Sequence, residues 1–233
     1  MRADLIGPST LVAIRDFSLW SGIGRLQSAC LGLILLDIET ISSVGEHLLT
    51  PREAARAMRM GSRRRRDFIA ARVALKKLAR QLDLAKENRP DREIETVGSD
   101  DVRPCIAESE IYCSASHRGR LVVAVAHTHM VGVDLELVSE QATRIWSLFL
   151  SPQEQELVLQ SGLNPAKTAA RAWTIKEAAA KALGLELFQA IKQVDVVWVG
   201  EEEGAMRYQK KIYPVRHAEG DGYVMSLIAC DGR

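Results

Sequence analysis

Three segments in the first half of the chain return in the second half, in the same order, and this doubling restricts the fold more than any other feature of the sequence. Leu36-Asp37-Ile38-Glu39 is echoed by Val133-Asp134-Leu135-Glu136, an offset of 97 from Asp37 to Asp134. Leu49-Thr50-Pro51-Arg52-Glu53 is echoed by Leu150-Ser151-Pro152-Gln153-Glu154, an offset of 101 from Thr50 to Ser151. Arg66 to Arg72 is echoed by Arg171 to Glu177, an offset of 105. One such match could arise by chance, but three in register predict two similar halves. Two such units can pack face to face as a pseudo-dimer with a cleft between them.

Each half carries the same local signals. Thr50 and Ser151 both read as helix N-caps, each followed by Pro at the first helical position and by Glu three residues after the cap. Leu31 to Ile41 reads as a strand. Phe68, Ala71, Leu75, Leu78, Ala79 and Leu82 recur at helical spacing, with Arg72 inside the apolar stripe. A polar loop is expected from Glu87 to Asp101. Leu121 to Ala126 is a continuous apolar run that suits a buried strand, and a turn at His127 to Met130 leads into Val131 to Val138. There, Val133, Leu135 and Leu137 face one way, and Gly132, Asp134 and Glu136 the other. Ala166 to Leu183 predicts a second long helix capped by Gly184. Val194 to Val199, Tyr208 to Val215 and Gly222 to Ala229 read as later strands. The expected class is α+β, two small antiparallel sheets each beside a long helix. Residues 1–30 form an N-terminal extension with no functional reading, 31–130 the first half, and 131–233 the half that carries the chemistry.

With 233 residues, 47% of them hydrophobic, the chain can bury a core without staples. The 31 basic and 30 acidic side chains nearly cancel, so bulk charge points to neither nucleic acid nor a membrane surface. Cys30, Cys105, Cys113 and Cys230 have no zinc-type spacing and suit buried thiols in a reduced compartment. Asp4, Arg15 and Asp16 interrupt the early apolar stretches, and no apolar run reaches the roughly 20 residues needed to span a bilayer. A cytoplasmic protein is expected.

Two groups of residues stand out chemically. Asp134 and Glu136 share one face of a strand, where like charges repel unless a proton or cation intervenes. They suit a hard cation such as Mg²⁺, although the pair taken alone fits a solvated edge-strand face better. Trp173, Glu177, Lys181 and Gly184 follow at i, i+4, i+8 and i+11, one helical stripe, with Lys176 beside it. An exposed Glu–Lys pair would explain Glu177 and Lys181 but not Trp173. Ser114 to Arg118 fits either a phosphate cradle or an ordinary turn before a strand. Arg63 to Arg66 is a basic run that suits solvated surface, an acidic partner or, without interleaved aromatics, least of all RNA. His127 and His129 fit a turn better than a metal site.

Taken together, these residues resemble the 4′-phosphopantetheinyl transferases, specifically the larger pseudo-dimeric, surfactin-synthetase-activating type. The resemblance is carried by Val102-Arg103-Pro104, Ser114 to His117, Val131 to Glu136 and Trp173 to Gly184, with Phe68, Ala71 and Arg72 of the basic helix, and it runs from about Leu31 to Ala229. It implies transfer of 4′-phosphopantetheine from coenzyme A to a serine of an acyl or peptidyl carrier protein, releasing 3′,5′-ADP. Asp134, Glu136 and Glu177 would hold Mg²⁺, with Mn²⁺ as a substitute. Glu177 would also deprotonate the carrier serine, and Lys181 would neutralise the diphosphate. Ser116 and His117 would contact the nucleotide phosphates, with Arg56, Arg103 and Lys176 as further coenzyme contacts. A monomer is expected, without a nucleic-acid or membrane partner and with one active site, because only the second half keeps both the acidic pair and the helical Glu and Lys. Two features depart from the family pattern: Leu185 follows Gly184 where many members carry a further Gly or Lys, and Asp67 stands where some have Arg. Two other functions fit the same residues: a non-catalytic module that binds coenzyme A or carrier, and a Mg²⁺-dependent nucleotide pyrophosphatase.

Overall fold

The computed structural model describes residues 15–41, 44–98 and 103–230. Contacts divide the chain into two units, Met1–Asp16 with Gly32–Ala126 and Phe17–Leu31 with His127–Arg233. Of the expected N-terminal extension, residues 1–14 lie outside the described residues, as do Val102 of the Val-Arg-Pro motif and the end of the expected polar loop. No helix among the described residues is long and apolar enough to cross a membrane.

In the first unit, strands β1 (Gly32–Asp37), β2 (Tyr112–Arg118) and β3 (Leu121–His127) form a sheet in the order β1-β3-β2, with β1 antiparallel to β3 from Gly32↔Ala126 to Asp37↔Leu121. Ile34 and Leu36 of β1 join the core beneath helix α4 (Ser62–Gln81), against Ala71, Leu75 and Leu78. The strand expected over Leu31 to Ile41 stops at Asp37. The Asp37 carboxylate accepts the Glu39 backbone N–H at 3.0 Å and so starts the short helix α2 (Ile38–Ile41). The expected Ser114 to Arg118 loop is also corrected. It is strand β2, joined to β3 by a tight turn through Gly119, whose φ of 58° suits glycine.

The second unit is a five-stranded antiparallel sheet in the order β4-β8-β7-β6-β5, built from β4 (Met130–Leu137), β5 (Val194–Val199), β6 (Glu203–Tyr208), β7 (Lys211–Gly220) and β8 (Tyr223–Cys230). Tyr208 to Val215, expected as one strand, is the β6–β7 hairpin. Tyr208 pairs with Lys211 across a two-residue turn in which Gln209 takes φ 56°. Helix α7 (Pro165–Leu183) crosses β4 and β8 on an alanine face, and Gly184 ends it at φ 67°. A Cβ on Gly132 would sit 1.9 Å from the Ala178 carbonyl, so only glycine lets β4 and α7 approach this closely. Residues 17–31, with helix α1 (Ile23–Ser28), pack on β7. Ser21 bridges to Glu219, Trp20 covers Gly220 and stacks on Tyr223 at 6.5 Å, and Arg25 pairs with Glu202 and Glu203.

Both units contain the same buried ionic device. Thr50 caps helix α3 (Pro51–Ala57) and Ser151 caps α6 (Pro152–Gln160), each in a full capping box with Pro in the first turn, as the sequence predicts. The box glutamates do more than cap. Glu53 also receives the Thr96 N–H at 3.0 Å and the Lys76 ammonium at 2.8 Å; Glu154 receives the Val196 N–H at 2.7 Å and the Lys176 ammonium at 2.7 Å. Lys76 further donates to the Asp91 and Ile94 carbonyls, Lys176 to those of Ile191 and Val194. These bonds compensate the desolvation of an ion pair that would otherwise be costly to bury. The shared register is 100 to 101 residues throughout, and Gly32, which meets Leu78 and Leu82, matches Gly132, which meets Ala178 and Ala182. The expected offsets of 97 and 105 are therefore corrected. Asp134, Glu136 and Glu177 correspond to Ile34, Leu36 and Lys77, not to Asp37, Glu39 and Arg72.

Candidate active site

Asp134 lies in the middle of β4 and is 2% exposed. Its cross-strand neighbour on β8 is Ser226, whose own neighbour on β7 is His217. Ser226 meets Thr174 of α7 at 2.5 Å and the His217 Nδ1 at 2.9 Å. Burial, with Arg171 nearby, pushes the His217 imidazole down to about 3, so it is neutral near pH 7. This row of polar groups ties α7 to the sheet and fixes which helix residues overhang β4.

Those residues are Trp173, Glu177 and Lys181. The Lys181 ammonium donates to Asp134 Oδ1 at 2.7 Å and to the Val133 carbonyl at 3.0 Å, and stands 3.9 Å from Glu177 Oε2. The Trp173 indole N–H donates to Glu136 Oε1 at 3.3 Å, with its ring edge-on to Phe149 at a centroid distance of 4.7 Å. Burial is the main cause that pushes the Glu177 carboxyl up to about 7. The negative charge of Asp134, with which it shares a hydrogen bond, and that of Glu136 add to this, while Lys181 opposes it. The strand and the helical stripe singled out in the sequence thus meet at one place.

Among the described residues, no three His, Cys, Asp or Glu side chains stand in ready metal-coordinating geometry. Asp134 is engaged by Lys181 and Glu136 by Trp173. The chemistry of the donor set nevertheless fits a hard divalent cation. Three carboxylates supply oxygen donors, and Glu177 holds a proton up to about pH 7 because burial and two like charges outweigh Lys181. A cation can take over the role of that proton.

Lys176, expected to contact the coenzyme, is placed in the core. Its ammonium is 1% exposed and bonded to Glu154 and two carbonyls. Neighbouring helical residues point about 100° apart, so Lys176 and Glu177 face different surroundings. Arg56, Arg103, Ser116 and His117 belong to the first unit. Arg56 and Arg72 flank the Phe68 ring, at 5.6 and 5.0 Å from its centroid. Ser116 is buried in β2, His117 Nδ1 lies 3.7 Å from Asp67, and the Arg103 carbonyl accepts the Gly98 N–H. His127 and His129 sit at a turn, where His127 Nδ1 accepts the His129 N–H. Sequence reasoning missed the Trp173–Glu136 bond and its support from Phe149; the unexplained Trp at the head of the stripe was the signal.

The acidic strand of a five-stranded sheet and the Glu–Lys helix packed on it make a domain that can be compared with known families. Residues 130–228 match the 4′-phosphopantetheinyl transferase superfamily. The match begins at β4 and ends within β8, so it contains every residue of the acidic site. No curated protein matches the chain. Members of the superfamily transfer phosphopantetheine, use coenzyme A as co-substrate, generally with a divalent metal, and act on carrier proteins.

Proposed function

We propose that the protein transfers 4′-phosphopantetheine from coenzyme A to a serine hydroxyl of an acyl or peptidyl carrier protein, with Mg²⁺, and releases 3′,5′-ADP. The convergence of Asp134, Glu136, Glu177 and Lys181 within the superfamily-matched domain carries this reading. Asp134, Glu136 and Glu177 are the residues that would hold Mg²⁺, which would supply positive charge against the coenzyme's diphosphate. The carrier serine oxygen forms a bond to the phosphorus on the pantetheine side, and the bond from that phosphorus to the bridging oxygen breaks. Glu177 accepts the serine proton, directly or through a water. Lys181, fixed by Asp134 and Val133, offsets the charge that develops on the departing 3′,5′-ADP. In the first unit, Arg56, Arg103, Ser116 and His117 are assigned to the nucleotide.

The repeated Glu–Lys device supports the two units as duplicated halves of a pseudo-dimeric enzyme. Ile34, Leu36 and Lys77 in the matching positions leave the first half no acidic site, so one active site per monomer follows. The cytoplasm, where coenzyme A and apo carriers meet, is the compartment assigned. Intact mass spectrometry of an apo carrier protein incubated with the protein, coenzyme A and Mg²⁺ tests this: the carrier should gain the mass of phosphopantetheine. Coenzyme A cleaved at the diphosphate while the carrier mass stays unchanged would instead mark a pyrophosphatase. Asp134→Ala and Glu177→Gln should both abolish the mass gain, and full activity in either would overturn the site assignment.

A further inference from the structure

We propose that Asp67 is a positioning residue for coenzyme binding, holding the His117 imidazole from behind while Arg66 holds Asp67 in turn. The proposal rests on the role given above to His117 as a contact to the nucleotide phosphates. Asp67 departs from the family pattern, and nothing in the transfer chemistry explains a carboxylate there. It is 8% exposed, within α4, on a face of the helix that packs against β2. Its two oxygens have different partners. Oδ1 accepts from Arg66 Nε and Nη2 at 3.3 and 3.2 Å, and Oδ2 stands 3.7 Å from His117 Nδ1.

A carboxylate beside one imidazole nitrogen selects the tautomer with hydrogen on that nitrogen, and it stabilises the imidazolium when the ring is protonated. Either effect orients the ring, and the imidazolium adds an N–H donor and a positive charge that suit a phosphate oxygen. Arg66 restrains the carboxylate through two bonds that converge on Oδ1 and leave Oδ2 toward His117. The competing role for Asp67 is structural: a lone carboxylate that offsets the charge of Arg63 to Arg66.

A double-mutant cycle on the full chain separates the two roles, with the coenzyme A dissociation constant read by calorimetry and KM and kcat read with an apo carrier. Asp67→Asn should weaken coenzyme A binding roughly two- to fivefold, the range set by a part-exposed pair, with kcat unchanged. In the His117→Ala background, Asp67→Asn should have no further effect, whereas with His117 present Asp67→Glu should keep most of the affinity that Asp67→Asn loses. An equal loss in both backgrounds assigns Asp67 a structural role and overturns the proposal, as does wild-type affinity in Asp67→Asn. If His117→Ala weakens binding but Asp67→Asn does not, only this proposal falls. If His117→Ala itself leaves the affinity unchanged, the assignment of His117 falls with it. Asp67→Ser serves the same cycle should Asp67→Asn fail to fold.

Discussion

Replacing Glu177 by Gln should stabilise the metal-free protein at high pH and leave it unchanged at low pH. In the folded state the Glu177 carboxyl is pushed from 4.5 to about 7, chiefly by burial and then by Asp134. The folded state therefore binds the proton more tightly than the unfolded chain. Below about pH 4.5 both states are protonated and the group contributes nothing. Between 4.5 and 7 the unfolded chain loses its proton first, so stability falls as pH rises. Above 7 the full cost is present, about 3 kcal/mol by linkage. The side chain is 25% exposed, so this is an upper value. Glutamine keeps the shape and removes the ionisation. Urea unfolding in EDTA at pH 8 should therefore show the variant more stable by about 1 to 3 kcal/mol, and at pH 4.5 the two should coincide. Adding Mg²⁺ at pH 8 should raise the stability of the wild type and do little for the variant. Equal stability differences at both pH values would refute the account of the site as overcharged.

Three further substitutions test individual contacts. Trp173→Phe keeps the contact with Phe149 and removes the N–H that orients Glu136, so Mn²⁺ affinity measured by calorimetry should fall about tenfold, as for other outer-shell partners; unchanged affinity would show that the bond does not matter. Gly132→Ala forces a Cβ to within 1.9 Å of the Ala178 carbonyl and should cost about 1 to 3 kcal/mol in thermal or urea unfolding. Lys176→Met strands Glu154 without its cation and should cost about 3 to 5 kcal/mol, with the coenzyme A KM little changed; a raised KM at wild-type stability would instead return Lys176 to the coenzyme.

What the sequence made legible was local. The capping boxes at Thr50 and Ser151, the alternation along β4 and the Trp173–Gly184 stripe depend on neighbours within one turn or one pleat, and each appears as read. The repeat is legible as a repeat, but similar residue types do not mark equivalent positions in it. Asp37 looked like Asp134, but a strand's last residue and its middle residue do different things: Asp37 starts a helix and pairs with Arg120 and Arg15, while Asp134 sits under α7. The true register is set by Lys76 and Lys176, whose partners lie 15 to 18 residues further on, beyond the reach of any pattern rule. The β6–β7 turn was hidden because Gln209 and Lys210 carry none of the usual turn chemistry. Asp67 shows in the sequence only as a departure from the family pattern, since its partner His117 comes from a distant strand.

The path of the chain sets an order of assembly. Residues 17–31 belong to the second unit but are made before Gly32–Ala126 of the first, so they must wait for a sheet that does not yet exist. Trp20 and Asp221 are 201 positions apart, so on the ribosome the indole emerges long before Gly220 and Tyr223, its binding surface. Most of the first unit's strands and its long helix can be complete by then, while the matched domain must await its own C-terminal hairpin before it can receive the segment synthesised near the start. A fragment beginning at His127 would keep every residue of the acidic site and lack the piece that closes over β7. The second unit, as a folding unit, is thus longer than the stretch that matches the superfamily.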